Sequence, residues 1–330
     1  MKALTYTNTC EVTYRDEPEP QLGADEVMLK IEAVGICGSD MHAYHGHDPR
    51  RLPPMILGHE LAGQIVAGTG LGKRVTANPL ITCGVCDYCV QGRNNLCANR
   101  TMVGMTRPGA FAEFMAIPAR SLIDIPQDMT ARQAALTEPA ATALHAIAVA
   151  TRASHRPPAE GHVLIIGGGA IGMLAALLLR ARGATVTVVE TNPLRRAAVE
   201  RHVGCATLDP KAGPTPRDGE FPLVIDAVGA TATRTAAMAA VAPGGVLMHI
   251  GLQDWASEID MRRLTLAEIT LIGTYTYSTA DLRATVAALY NGSFGDLAWV
   301  EERPLAEGAA AFADLDQGRA ASAKIVLRPH

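Results

Sequence analysis

The sequence predicts an α/β protein in which a doubly wound parallel sheet is joined to a second, mainly β region. Three observations carry this. Ala, Gly and Val abound while aromatics make up only 4% of the chain, a composition suited to tightly packed helix-on-sheet layers. After residue 161, short and nearly all-apolar strands alternate with helix-like stretches, the pattern of buried parallel strands. The first third instead reads as strand and loop.

Taken in order, residues 26–34 alternate well enough for a half-buried strand, and 58–67 and 110–118 also read as extended. Residues 131–149, rich in Ala and Leu and punctuated only by Pro139, have helical character, and 152–161, with Pro157-Pro158, read as a connection. A strand over 162–166, a glycine-rich turn, an apolar helix to residue 182 and a strand over 185–190 then form a βαβ opening. Further strands at 205–208, 223–226, 246–250 and 270–273 bring the total to about six, as a doubly wound sheet requires. An Ala-rich helix over 305–317 and a strand over 323–327 end the chain, the strand placed to return to the first region. The expected organisation is therefore a discontinuous first domain (1–139 with 275–330) around a second domain (140–274).

At 330 residues with 48% hydrophobic and 19% charged content, the chain is neither disordered nor collagen-like. A net charge of -4 gives no general reason to expect nucleic acid or an anionic membrane as partner, and a small-molecule substrate is the better expectation. No signal-peptide pattern or membrane-length apolar run is visible, so a cytoplasmic location is expected.

Gly167-Gly-Gly169-Ala170-Ile171-Gly172 fits Gly-x-Gly-x-x-Gly between a buried strand and a helix, and Glu190 ends the next strand at the customary distance. This context marks a dinucleotide site on a Rossmann-type sheet. Gly167 would allow the tight turn, Gly169 the approach of the pyrophosphate to the helix N-terminus, and Gly172 close packing of helix on strand. Glu190 would accept hydrogen bonds from the adenosine ribose and repel a 2′-phosphate, which predicts NAD over NADP. Arg195 and Arg196, on the following helix, either fold back on a cofactor phosphate or form a solvated face.

Of seven cysteines, Cys83, Cys86, Cys89 and Cys97 crowd into one short segment, within a lobe taken as 79–100. Four thiolates at such spacing suit a structural zinc with a closed tetrahedral shell. Cys37, in Gly-Ile-Cys37-Gly-Ser39-Asp40-Met-His42, together with His59 and one carboxylate, would form a second, three-ligand zinc site with an open position for substrate. Two zinc ions per chain are thus expected. Cys10 and Cys205 carry no assigned chemistry.

Gly-His59-Glu60, the Cys37-to-His42 run, the four-cysteine lobe, Glu138-Pro139, the glycine motif and the closing Gly318-Arg-Ala-Ala-Ser-Ala-Lys324-Ile-Val-Leu run together resemble the zinc-dependent medium-chain dehydrogenases/reductases, and within them the polyol branch. The resemblance covers essentially the whole chain. It implies a GroES-like catalytic domain and oxidation of a secondary alcohol to a ketone with NAD. It implies Cys37, His59 and Glu60 as ligands of the catalytic zinc, with Glu138 as a second carboxylate that holds the metal's water or binds the metal itself. Asp40 would orient His59, fixing its tautomer and raising its basicity. Ser39 and His42 match the family's proton-relay positions. A homodimer or homotetramer is implied, joined through the last sheet strand at 271–276.

The abbreviated turn over 68–74 departs from the longer loop of many relatives and removes no ligand. The run from His42 through His45 and His47 to Arg50 and Arg51 either reads an anionic substrate, such as a sugar phosphate or sugar acid, or is a solvated loop. Two other classes are weighed: a zinc-free reductase, which the zinc ligands argue against, and a silent dinucleotide-binding protein, which the complete set of catalytic candidates argues against.

Overall fold

The computed structural model describes residues 1–330. The strand Glu26–Gly35, apolar on one face, lies at the centre of a mostly antiparallel seven-stranded sheet. It pairs with Glu60–Ala67 on one edge, while Phe114–Pro118 and then the C-terminal strand Lys324–Arg328 pair along the other. Val326 lies opposite Gly35, and Lys324–Arg328 runs parallel to Val300–Pro304 beyond it. The end of the chain is thus woven into the sheet formed by its beginning. A smaller three-stranded sheet, Lys2–Asn8 with Glu11–Asp16 and Met55–Ile56, covers one side of the same core.

A second, all-parallel sheet has six strands in the order Ala206–Leu208, Thr185–Val189, His162–Ile166, Phe221–Asp226, Val241–His249, Thr270–Gly273. The order reverses beside His162–Ile166, which makes that strand's C-terminal end the crevice where a ligand binds in such sheets. Helices Ala170–Ala181 and Thr137–Ala153 pack against each other and the sheet, with Ala140, Ala141, Ala143, Ala146 and Ala150 all buried. Those small side chains let the helices approach closely enough to close the layer.

The expected α/β architecture is borne out: a mainly β region, to which the end of the chain returns, beside a doubly wound parallel sheet. Details differ. The run 131–149 is two helices, Ala131–Ala135 and Thr137–Ala153, parted at Leu136 rather than at Pro139. Pro139 sits in the first turn of the second helix, where its missing N–H has no intrahelical partner to lose. A boundary at 139/140 therefore falls inside a helix. The region expected to be extended from 58 begins its ladder at Glu60, because Gly58 turns with φ +92. The helix expected over 305–317 opens as a 3-10 turn, Leu305–Glu307, before Gly308–Asp316. No helix is long and apolar enough to cross a membrane.

Candidate active site

Cys37 caps the helix Gly38–Tyr44: its Sγ accepts from the Ser39 N–H at 3.5 Å while Asp40 Oδ2 accepts from the Cys37 N–H at 3.0 Å. This reciprocal cap orients both the thiol and Asp40. His59 and Glu60 arrive from the neighbouring strand entry, where Glu60 lies opposite Gly35. A Cβ on Gly35 would stand 2.1 Å from Glu60 Oε2, so only glycine leaves room for the carboxylate. The ligand atoms of Cys37, His59 and Glu60 lie within 4.8 Å of one another.

His59 and Asp40 are both buried, with His59 Nδ1 at 3.5 Å from Asp40 Oδ1. Burial works against an imidazolium, but Asp40 and Cys37 outweigh it and hold the His59 pKa well above its ordinary value. Those two atoms have no hydrogen-bond partner, and the donor set of one thiol, one imidazole and one carboxylate suits zinc. The residues present fit the ion that the sequence implies. Ser39 Oγ lies 3.5 Å from His59 Nε2, and His42 follows one helical turn later, half-buried, its pKa pushed down by burial and by its neighbours His47 and His45.

Glu138 stands outside that group of three. It is buried, and its Oε1 accepts from the Tyr277 hydroxyl at 2.6 Å. Burial, reinforced by the charge of Glu60, pushes the Glu138 carboxyl up. Glu60 is held differently: the buried Lys324 ammonium donates to its Oε1 at 2.7 Å and Oε2 at 2.6 Å, and to the Ile36 carbonyl at 2.7 Å. Burial lowers the Lys324 pKa, but Glu60 and Cys37 raise it by more, so the cation persists. The roles of Lys324 and Tyr277 were not foreseen. Lys324 appears in the sequence only as one residue of a closing run, and Tyr277 in no motif at all.

In the arginine-rich loop His47 and Arg50 are exposed, as a solvated loop would have them, and Arg51 alone departs from both readings. Arg51 neither reaches for substrate nor points to water: it is 1% exposed, and its guanidinium donates to the Ser39 carbonyl and, at 3.2 Å, to Ser39 Oγ. Arg50 is exposed and paired through two nitrogens with Asp48, and His45 meets Asp316 at 2.6 Å.

The four-cysteine lobe brings its sulfurs together at 3.5 Å (Cys86 to Cys89), 3.6 Å (Cys97 to Cys83) and 3.9 Å (Cys83 to Cys89). A tetrahedron with metal–sulfur bonds of about 2.3 Å has edges of about 3.8 Å, so the cage already has the dimensions of a zinc shell. Backbone N–H groups of Val85 and Cys86 bring the Cys83 thiol down to about 6, while, against the Cys89 N–H, burial and the neighbouring sulfurs push the Cys86 thiol up to about 11, so a cation is what would make thiolates of them all.

At the crevice of the parallel sheet, Gly167 has φ +102, and a Cβ on Gly172 would stand 1.8 Å from the Gly167 carbonyl oxygen. Gly169 opens the helix Ala170–Ala181, which no side chain caps; a Cβ on it would meet nothing within 4 Å. Uncapped N–H groups facing open space form an anion site, and the turn fits a pyrophosphate. Glu190 is buried at the end of the adjacent strand, its Oε2 accepting from Gly168 N–H and its Oε1 from Asn192 N–H, both at 2.8 Å. Arg196 takes neither of the expected courses, since it donates to the Glu190 and Thr191 carbonyls and pairs with Asp209 at 2.9 Å. Arg195, partly buried, has an Nε without a partner.

Residues 23–127 match the alcohol dehydrogenase GroES-like domain family, and residues 170–291 the zinc-binding dehydrogenase family. The chain is 32% identical over 294 residues to L-galactonate-5-dehydrogenase of Escherichia coli (strain K12), covering 83% of this chain and 82% of that protein. Among solved structures it is similar to a zinc-binding dehydrogenase from Sinorhizobium meliloti 1021 bound to NADP, with TM-score 0.88, 29% identity and 99% of each chain covered. It is also similar to galactitol-1-phosphate dehydrogenase from Escherichia coli, with TM-score 0.89, 25% identity and 100% of each chain covered. With a thiol–imidazole–carboxylate cluster beside a dinucleotide crevice and both halves matched, the chain belongs to the zinc-dependent medium-chain dehydrogenases, in their polyol branch, and is an alcohol dehydrogenase that uses zinc and a nicotinamide cofactor.

Proposed function

We propose that the protein oxidises the secondary hydroxyl of a polyol or sugar-derived alcohol to a ketone, with NAD as hydride acceptor. The observation that carries this is the Cys37–His59–Glu60 cluster, His59 and Glu60 buried and Cys37 partly exposed, with Ser39 alongside it. Zinc held by these residues supplies Lewis-acid polarisation of the substrate hydroxyl. Asp40 orients His59, Ser39 receives the hydroxyl proton, and His42 carries it outward. Glu138, aimed by Tyr277, is the second carboxylate of the site. A second zinc in the Cys83–Cys86–Cys89–Cys97 cage holds the lobe together.

Arg50 is paired with Asp48 and Arg51 is turned inward, which favours a neutral substrate. The name of the L-galactonate-5-dehydrogenase relative supports a sugar acid as the second reading. Initial rates of NADH formation on neutral hexitols and pentitols, beside their phosphates and matching sugar acids, decide between them. We expect the neutral member of each pair to turn over faster, and a consistent preference for the anionic member would overturn the choice.

The crevice residues Gly167, Gly169, Ala170, Ile171, Gly172 and Glu190, with Arg195 at the rim, are proposed to bind NAD. Glu190 Oε2 accepts only from Gly168 N–H and keeps a lone pair for a ribose hydroxyl, while Oε1 already accepts from Asn192 N–H and the Thr191 hydroxyl, and the carboxylate repels a 2′-phosphate. In paired assays we expect NAD to be preferred over NADP. Glu190→Gln, which removes the repulsion, should narrow the preference by about tenfold, and a wild-type preference for NADP would sink the assignment.

Sheet membership supports a discontinuous domain (1–139 with 275–330) around 140–274, with the first boundary moved to the helix break at Leu136 and the return to the first sheet made by Val300–Pro304 and Lys324–Arg328. The edge strand Thr270–Gly273, with exposed Trp255, Leu252, Met261 and Leu266 nearby in the chain, supports a homodimer joined at that edge, or a homotetramer built from it. Seven cysteines without a disulfide, four of them in a metal cage, support a cytoplasmic location.

A further inference from the structure

Arg51 is the largest fully buried side chain of the protein, and it lies against the serine of the proposed proton path. We propose that Arg51 is a positioning residue for proton transfer, which fixes the direction in which the Ser39 hydroxyl hands its proton on. The inference rests on the reading of Ser39 as the first proton carrier.

The argument is one of donors and lone pairs. A serine hydroxyl has one proton and two acceptor sites, whereas a guanidinium only donates and stays charged at any working pH. Arg51 Nη2 fills one acceptor site of Ser39 Oγ at 3.2 Å, so the Ser39 proton cannot point towards Arg51. The other neighbour of Ser39 Oγ is His59 Nε2 at 3.5 Å, a nitrogen that zinc would occupy, so with the metal in place one acceptor site would remain for the substrate hydroxyl and the Ser39 proton would be free for the next carrier. Arg51 Nη1 simultaneously holds the Ser39 carbonyl, so a single rigid fork fixes both the backbone and the hydroxyl of one residue.

Fastening a loop would not require this group. Burying a guanidinium is costly unless it is paired, and the nearest carboxylate contact, Asp48 Oδ2, lies 3.8 Å from Arg51 Nε, which has no hydrogen-bond partner. A neutral donor could hold the Ser39 carbonyl at lower cost. The proton balance is simple. The substrate loses a hydride to the nicotinamide and a proton to Ser39 Oγ, the Ser39 proton passes to the His42 imidazole, and Arg51 keeps all of its protons.

The test uses the full-length, zinc-loaded enzyme and four variants: R51K, R51M, S39A and the R51M/S39A double. Each is measured for kcat, KM, solvent deuterium isotope effect on kcat, metal content per chain and NADH affinity. We expect R51M to lower kcat about 100-fold, the low end of what a positioned proton path contributes, with metal content and NADH affinity unchanged and a larger solvent isotope effect. R51K keeps the charge without the fork, so it should fold and still lose about tenfold in kcat, which keeps the test valid if R51M does not fold. S39A in the R51M background should add little, because the two act as one unit.

Wild-type kcat and isotope effect in R51K, or losses in R51M and S39A that simply multiply, would overturn the proposal. If S39A alone leaves kcat and the isotope effect unchanged, the serine relay itself fails. If S39A lowers kcat while R51K behaves as wild type, the relay stands and the role of Arg51 fails alone.

Discussion

Cys37→Ser and His59→Ala are each expected to abolish turnover, by roughly 1000-fold or more, while leaving the fold and the four-cysteine lobe intact. Each removes one of the three proposed protein ligands, and the site would then lose several kcal/mol of polarisation at the reacting oxygen, with each 1.4 kcal/mol worth about tenfold in rate. Metal analysis should show one zinc fewer per chain than in the wild type, with the remaining ion resistant to mild chelation. Cys97→Ser supplies the contrast. It opens the other cage, which ties to the chain near Tyr277 through Asn94 to Thr279 at 3.0 Å and Asn95 to the Tyr275 carbonyl at 2.8 Å. That variant should lose the other zinc and unfold more readily. Retention of both metal and activity in the Cys37 or His59 variants would refute the ligand assignment.

Lys324→Ala is expected to destabilise the zinc-depleted protein by about 3–5 kcal/mol, because it strands the buried Glu60 carboxylate without its counter-charge. Denaturant unfolding with and without added zinc measures it. The loss should shrink when zinc is restored, since a cation in the Cys37–His59–Glu60 cluster relieves the same negative charge. Adding Glu60→Gln to Lys324→Ala should recover part of the stability of the depleted protein by removing the stranded charge, although not its activity. An alanine variant as stable as wild type in the depleted state would show that the pair contributes nothing to holding the strand Lys324–Arg328 against Glu26–Gly35.

Much of the molecule was legible in the chain itself, and the reason differs from part to part. The parallel strands were readable because burial on both faces forces uninterrupted apolar runs such as that over 162–166. The glycine turn was readable because two of its positions exclude any side chain, Gly167 by its backbone angle and Gly172 by contact with the Gly167 carbonyl. The break at Leu136 was not, since residues with helical propensity stand on both sides of it and Pro139, which has no N–H to donate to the Ala135 carbonyl, acts on the turn before it and not at its own position. Arg51 was misjudged for a related reason. An arginine beside histidines in a loop has the composition of a wet surface or an anion site, and nothing local shows that the loop folds its guanidinium beneath Ser39.

By itself, then, the sequence determined the fold class, the dinucleotide turn and the residues able to hold metal, because each of these needs particular residue types at short, fixed spacings. Only the tertiary structure decided what stands behind those residues: Lys324 on Glu60 across 264 positions, Tyr277 on Glu138 across 139, and Arg51 on Ser39 across 12. The physical reason is that a buried carboxylate or hydroxyl needs a partner of the right charge or donor type but sets no spacing at which it must occur. Strand pairing and loop packing choose the partner, and they draw it from whatever part of the chain the fold brings within reach.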